Sequence, residues 1–282
     1  MARKYANNDF LQISQRDLKF EQRLGSGGFG DVYRGFWSSQ RETVAIKKLR
    51  VHADFVTAEE KDSFMEEISI MHRIRFPQIL NVLGVCFEPD CLAIIVEFMA
   101  LGSLYDVLHS MKLTWADKWS IAYQMAKGIN HLHLFKPHPI IHRDIKSLNF
   151  LMLGDFGLAR FRSTIGTQSI ADGDFGTLLW KAPELFRSGA FHTKESDVYS
   201  VGICLWEVAT GSSPYKDVTR EQFIWEVVIQ GKRMNIPPDV PDDFANLISS
   251  TWVQESNKRP TCHQLLRDIE LYIENEDSSA IR

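Results

Sequence analysis

Three residues in one short stretch carry the oxygen chemistry that moving a phosphoryl group requires. Asp144 and Asn149 stand five residues apart in His142-Arg143-Asp144-Ile145-Lys146-Ser147-Leu148-Asn149, and Asp155-Phe156-Gly157 follows closely. In-line transfer needs a carboxylate to orient an attacking hydroxyl and accept its proton. It also needs hard oxygen ligands for the magnesium that screens the phosphates. Asp144 suits the first task; Asn149 and Asp155 suit the second. Lys146, two residues past Asp144, suits the transferred phosphate itself.

These groups need a phosphate-holding element, and the N-terminal third supplies a candidate. Gly25-Ser26-Gly27-Gly28-Phe29-Gly30 lets the backbone approach phosphates closely and turn N–H groups toward them. On its own the pattern also fits an ordinary hairpin turn. The flanks, Leu18 to Leu24 and Asp31 to Trp37, read as strands, whereas a dinucleotide-binding loop would open into a helix. In Val44-Ala45-Ile46-Lys47, alternation puts small Ala45 and Lys47 on one face and Val44 and Ile46 on the other, toward a core. A helix is expected from Ala58 to about Ile74, with Phe64, Ile68, Met71 and Ile74 as its apolar stripe. Leu92–Val96 reads as a buried strand, and Leu104–Met111 and Trp115–Leu134 as helices.

The ordered motifs resemble the eukaryotic protein kinases across about Leu18 to Leu271. The loop Gly25 to Gly30, Gly102-Ser103-Leu104, Trp180, and Trp252 with Arg259-Pro260 are most similar to the tyrosine-kinase-like group of Ser/Thr kinases, of mixed-lineage, receptor-interacting or Roco type. The resemblance implies a bilobal α+β fold. Residues 18–98 would form a small five-stranded antiparallel lobe with one main helix, and 99–271 a mainly helical lobe. A hinge would fall near 97–101, after an extension at 1–17 and before an acidic, frayed tail at 272–282.

The same resemblance assigns roles. Gly25, Gly27, Gly30, Val32, Ala45 and Leu151 would surround ATP, and Lys47 would reach its phosphates while pairing with Glu67. Glu97 and Met99 would offer backbone groups to the adenine edge, with Val96 guarding a rear pocket. Asp144 becomes the base, Asn149 and Asp155 the Mg2+ ligands, and Thr177, next to Asp144, a mark of hydroxyl substrates of the Ser/Thr type. Arg143 would hold a phosphate placed among Ser163, Thr164, Thr167 and Ser169. Glu184 of Ala182-Pro183-Glu184 would pair with Arg259, and Asp197 would brace the catalytic loop from below. Protein substrates follow, and a homodimer for trans-autophosphorylation is compatible.

Composition narrows the rest. A net charge of −4 and a pI near 6.1 give no reason to invoke nucleic acid or an anionic membrane. Cys86, Cys91, Cys204 and Cys262 form no C-x-x-C pair and read as reduced, buried thiols of a cytoplasmic protein; the longest apolar run is too short for a bilayer. His131, His133 and His138 read as surface or packing histidines rather than metal ligands. Phe76-Pro77-Gln78-Ile79 departs from the His-Pro-Asn-Ile of many relatives at a joint away from the chemistry.

A larger departure is the link from Asn149 to Asp155. Phe150-Leu151-Met152-Leu153-Gly154 lacks the length and turn chemistry for the two-strand hairpin expected there. Residues are expected to be missing at about Met152–Leu153, with these two as unbonded neighbours. A genuine shortcut would instead favour a nucleotide-binding pseudokinase. A tyrosine kinase is the third reading, opposed by Lys146 and Thr177.

Overall fold

The computed structural model describes residues 11–27, 30–50, 65, 68–69, 71–152, 159–161 and 175–280. The described residues divide into two compact units, one up to residue 100 and one from residue 101 on.

The N-terminal unit is built on one sheet. Its strands are β1 (Leu11–Gln12), β2 (Leu18–Gly27), β3 (Gly30–Trp37), β4 (Glu42–Leu49), β5 (Val82–Glu88) and β6 (Cys91–Glu97), in the spatial order β1-β5-β6-β4-β3-β2. Strands β2 to β6 form the expected five antiparallel strands; β1 adds a sixth, parallel to β5. That edge strand falls in the stretch read as an extension. It brings Ile13 and Leu18 into a core with Trp37, Val44, Ile46, Cys86, Cys91, Ala93 and Ile95. Burying that much aliphatic surface stabilises the segment far more than its two-residue strand would.

The opposite face of the sheet carries the helix. Met65, Ile68, Ser69 and Met71–Arg73 are helical, and Met65, Ile68 and Met71 pack with Val82, Val85, Ile94 and Val96. Ile74, expected to close the helix, is buried just beyond its end, and Phe64 lies outside the described residues.

The C-terminal unit is mainly helical: α1 (Leu104–Ser110), α2 (Trp115–His133), α3 (Lys194–Thr210), α4 (Asp242–Thr251) and α5 (Cys262–Ala280). Local chemistry sets several of its boundaries. Ser103 with Asp106, and Thr114 with Asp117, form reciprocal capping boxes that satisfy the first N–H groups of α1 and α2. Helix α3 opens on Thr193 with Ser196 and stops at Gly211, which takes the left-handed conformation at φ 65°. Helix α5 runs on to Ala280, so the frayed tail expected after Leu271 is corrected to helix. Tyr272 stacks on Trp119 of α2 with ring centroids 3.8 Å apart, and neither glycine nor proline interrupts the segment that follows.

A small sheet completes the unit. Strand β7 (Phe150–Met152) pairs antiparallel with β8 (Ala159–Phe161), Met152 opposite Ala159. Leu101 N–H donates to the Met152 carbonyl and Met152 N–H to that of Gly102, at 3.1 and 2.8 Å, so β7 is also tied to the start of α1. The partner of β7 comes from beyond Asp155, and Asp155-Phe156-Gly157 falls in the six-residue connection. Among the described residues, β8 is the strand that β7 pairs with.

Candidate active site

Within the N-terminal unit, Gly27 pairs with Gly30 at the tip of the β2–β3 hairpin. Gly30 has φ 157°, and a Cβ there would lie 2.1 Å from the Lys48 carbonyl oxygen, so only glycine lets β3 and β4 approach this closely. At Gly25 an added Cβ would meet nothing within 4 Å, leaving that stretch of backbone open. Beside the tip, Asp31 binds Arg23 at 2.5 Å and Arg50 at 2.9 Å, while Arg50 also donates to the Ser26 hydroxyl. Hydrogen bonds from Arg50, Ser26 and Arg23 hold the Asp31 carboxyl well below the usual carboxylate range.

Lys47 lies opposite Val32 on β3 and Ile94 on β6. Directly opposed residues share a face, so Lys47 stands on the side that packs against Met65, Ile68 and Met71, with Ala45 and Val96 opposed along the same strands. Val44 and Ile46 are fully buried on the other side, as the alternation predicts. At the end of β6 the Glu97 carboxylate accepts the Asn81 N–H at 2.7 Å, and Met99 is buried.

In the C-terminal unit the catalytic loop hangs on Asp197. Its carboxylate accepts the His142 N–H at 2.7 Å and the Arg143 N–H at 3.0 Å, and lies 2.9 Å from His133 Nε2. Arg143 sits at φ 71°, a sparsely populated conformation for a residue with a Cβ, and its N–H bond to Asp197 helps fix it there. The Arg143 side chain is exposed. His133 is buried, so it is a brace rather than a simple packing residue. Sequence reasoning missed this role, because nothing near position 133 signals a partner 64 residues away.

Hung this way, the loop gathers four of the expected residues. Lys146 Nζ lies 3.3 Å from Asp144 Oδ1 and donates to Thr177 Oγ1 at 3.2 Å. Asn149 Nδ2 donates to the Asp144 carboxylate at 2.8 Å and to its backbone carbonyl at 2.7 Å. A carboxylate, an ammonium and a hydroxyl thus converge where a proton acceptor and a phosphate-steadying cation are needed together. With Nδ2 donating to Asp144, the amide oxygen of Asn149 is its remaining polar atom, a hard ligand that fits Mg2+. Leu151 bridges Ser103 through the backbone.

Two further supports lie beneath the loop. Arg259 makes a two-pronged bond to Glu184, at 2.7 and 2.8 Å, and donates to the Glu195 and Val253 carbonyls. The pairing expected of these residues is there. Glu207, fully buried on α3, accepts from Ser147 Oγ at 2.8 Å and from Trp180 Nε1 at 2.7 Å. Its signal was a carboxylate beside the longest apolar run, which sequence reasoning weighed only against a bilayer. Glu67, Asp155, the Met152–Leu153 junction and the Ser163–Ser169 segment lie outside the described residues.

The chain matches the family described as protein tyrosine and serine/threonine kinase over residues 18–269. It is 38% identical over 267 residues to a probable serine/threonine-protein kinase of Dictyostelium discoideum, covering 91% of this chain and 28% of that protein. It is 37% identical to the serine/threonine-protein kinase CTR1 of Arabidopsis thaliana, covering 93% of this chain and 33% of that one. To mitogen-activated protein kinase kinase kinase 10 of Homo sapiens it is 33% identical, covering 92% and 28%. The chain therefore spans about a third or less of the length of these relatives.

Proposed function

We propose that this chain, which belongs to the protein tyrosine and serine/threonine kinase family, transfers the γ-phosphate of Mg-ATP to serine and threonine hydroxyls of proteins. The observation that carries the reading is Lys146 held between Asp144 and Thr177. In the transfer, the hydroxyl oxygen of the substrate bonds to the γ-phosphorus, the bond to the β-phosphate oxygen breaks, and Asp144 accepts the hydroxyl proton. Lys146 steadies the moving phosphate. Asn149 and Asp155 would hold Mg2+, which when bound screens the charge of the phosphates.

The family resemblance supplies the nucleotide-holding residues. Gly25, Gly27 and Gly30 supply close backbone approach, Val32, Ala45 and Leu151 enclose the base, and Glu97 and Met99 offer it backbone groups. Lys47, on the helix-covered face of the sheet, pairs with Glu67 of that helix and reaches the phosphates. Residues 97–101 serve as the hinge between lobes 18–98 and 99–271. Phosphate added within Ser163–Ser169 would pair with exposed Arg143 and switch activity. A homodimer would allow that phosphorylation in trans.

Four free, buried cysteines support a cytoplasmic setting. Among the described residues no helix is long and apolar enough to cross a membrane. The mildly acidic charge balance favours protein over nucleic-acid partners.

One phosphotransfer assay on a generic protein substrate tests the reading. Phosphoserine and phosphothreonine are expected on phosphoamino-acid analysis; dominant phosphotyrosine would overturn the specificity. The pairing of β7 with β8 supports a second reading, a pseudokinase that binds nucleotide without turnover, because only six residues of the sequence, Asp155 among them, separate the two strands. ATP binding without phosphate transfer would decide for that one.

A further inference from the structure

We propose that Cys86 and Cys91, set side by side across the β5–β6 hairpin, form a reversible disulfide site oxidised by a small peroxide, with Cys91 as the attacking thiol and Cys86 as the one that closes the bridge. The inference is independent of the phosphotransfer reading.

The register of the sheet brings the two thiols together. Cys86 lies opposite Ala93 and Glu88 opposite Cys91, so the cysteines are diagonal neighbours on one face of the hairpin. Both are free and fully buried, and their thiols share a hydrogen bond. Lys48 stands opposite Ala93 on the other flank of β6, on that same face. Beside them, Lys48, Pro89, Asp90 and Leu92 help line a cavity of about 370 Å³ at the turn that leads into Cys91. A water takes up about 30 Å³ of liquid, so a peroxide has ample room to reach the end of the hairpin.

The surroundings divide the labour between the thiols. The hydrogen bond from Cys86, and then the Lys48 ammonium, hold Cys91 below the ordinary thiol range against burial and the Glu88 carboxylate. The same contact, with burial, pushes Cys86 up. Cys204 and Cys262, on α3 and α5, are each pushed up by burial and stay neutral thiols. Since the thiolate is the nucleophile, Cys91 attacks first. Its sulfur bonds to one peroxide oxygen, the O–O bond breaks, and hydroxide leaves to become water. The Cys86 sulfur then attacks the resulting Cys91 sulfenic acid, the S–O bond breaks, and the departing hydroxide takes the Cys86 proton. Two thiols are oxidised by two electrons, and one peroxide is reduced to two waters.

Geometry makes the bridge reversible. Diagonal neighbours stand about 7–8 Å apart, while a disulfide spans about 4.4–6.8 Å between Cα atoms. Closing it draws β5 and β6 together and strains the bond, and strained disulfides are the ones a thiol pool reduces again. The pull reaches β1. Ile13 and Leu18 share a core with both cysteines, Ile13 N–H donates to the Val85 carbonyl at 2.8 Å, and Gln15 N–H donates to Glu88 Oε1 at 3.1 Å.

The experiment treats the reduced chain with hydrogen peroxide, quenches with catalase, alkylates free thiols under denaturing conditions and maps each cysteine by mass spectrometry. Cys86 and Cys91 are expected in one peptide lighter by two hydrogens and restored by reduced glutathione, with Cys204 and Cys262 fully alkylated. In Cys86→Ser, Cys91 should halt as a sulfenic acid trapped by dimedone, formed at least about tenfold faster than any at Cys204. In Cys91→Ser, Cys86 should stay a thiol. Amide exchange within 11–18 should change on oxidation and revert on reduction. Full alkylation of Cys86 and Cys91 after peroxide would overturn the proposal. So would a bridge that glutathione leaves intact, or one that forms only when Cys204 and Cys262 oxidise too, the mark of unfolding. A sulfenic acid on Cys86 in Cys91→Ser would overturn the assigned roles, and unchanged exchange in 11–18 the link to β1. Should a serine variant fail to fold, the wild-type map decides the bridge, and timed dimedone trapping on wild type decides which thiol attacks.

Discussion

Replacing Glu207 by glutamine keeps the shape of the side chain and removes one titration, which makes its effect on stability calculable. The carboxyl has an ordinary value of 4.5 and is pushed up to about 8 by burial, against the opposing pull of hydrogen bonds from Trp180 and Ser147. Its folded value lies above its unfolded one. The folded chain therefore keeps a proton that the unfolded chain releases between those two values. The stability from that retained proton is fully present below pH 4.5, declines by up to about 1.4 kcal/mol per pH unit, and is lost once the pH passes about 8. Integrated from pH 5 to pH 8, the wild-type loss is about 3.5 kcal/mol. The glutamine variant has no such loss.

The assay is thermal unfolding of wild type and Glu207→Gln side by side at pH 5, 6, 7 and 8. Every other titration is common to the two proteins and cancels in the difference. The variant should match wild type at pH 5 and outlast it increasingly as pH rises. For 282 residues, an unfolding entropy of about 2 cal/mol/K per residue converts the difference at pH 8 to roughly 6 °C in Tm. A difference that stays constant with pH, or shrinks toward pH 8, would refute the claim that this carboxyl is held neutral by burial.

Three further outcomes are expected. Asp144→Asn should lower kcat by about 100-fold or more with little change in ATP affinity, since it removes the proton acceptor and no metal ligand; near-full turnover in steady-state kinetics would show the role is misassigned. Gly30→Ala must displace the Lys48 carbonyl, now 2.1 Å from where the methyl would go. It should raise KM for ATP while the C-terminal unit keeps its unfolding profile, both measured on the same preparation. Glu184→Ala leaves the Arg259 guanidinium, whose side chain is fully buried, without its carboxylate. It should destabilise the chain by about 3–5 kcal/mol in urea unfolding.

What could be read in the residues alone follows from how local each signal is. The alternation in Val44-Ala45-Ile46-Lys47 sorts core from site because a strand has a period of two, and the structure buries Val44 and Ile46 accordingly. Ser103 and Thr114 announce the starts of α1 and α2, since a capping box is complete within four residues. Motif order, rather than local physics, carried Thr177 to the catalytic loop and Glu184 to Arg259. The rest depended on distant partners. His133 is fixed by Asp197, Glu207 by two residues on other segments, and β1 by an edge of β5 more than seventy residues on. The helical tail was misread because an acidic composition resembles a solvated end, whereas Tyr272 anchors it on Trp119.

The short link after Asn149 leads to the last expectation. In the proposed transfer Asn149 and Asp155 would bring oxygens to one Mg2+, each at about 2.1 Å, so the two side chains would have to meet. Strand β7 leaves Asn149 directly, and its antiparallel partner β8 begins at Ala159, so the six residues 153–158 must both reverse the chain and present Asp155. A tight hairpin turn needs only two residues, so six suffice for the reversal. They hold only one residue of known metal chemistry, Asp155, and its aim is set by how the other five close. Inserting about seven residues after Met152, as two short strands and a turn, would give β7 a partner upstream of Asp155 and free Ala159–Phe161 from that task. If the present link strains the metal site, the lengthened chain should bind Mg-ATP more tightly and turn over at least about tenfold faster, measured beside the chain as it stands. Equal turnover in the two would mean that six residues already deliver Asp155, and the pseudokinase reading would lose the observation that supports it.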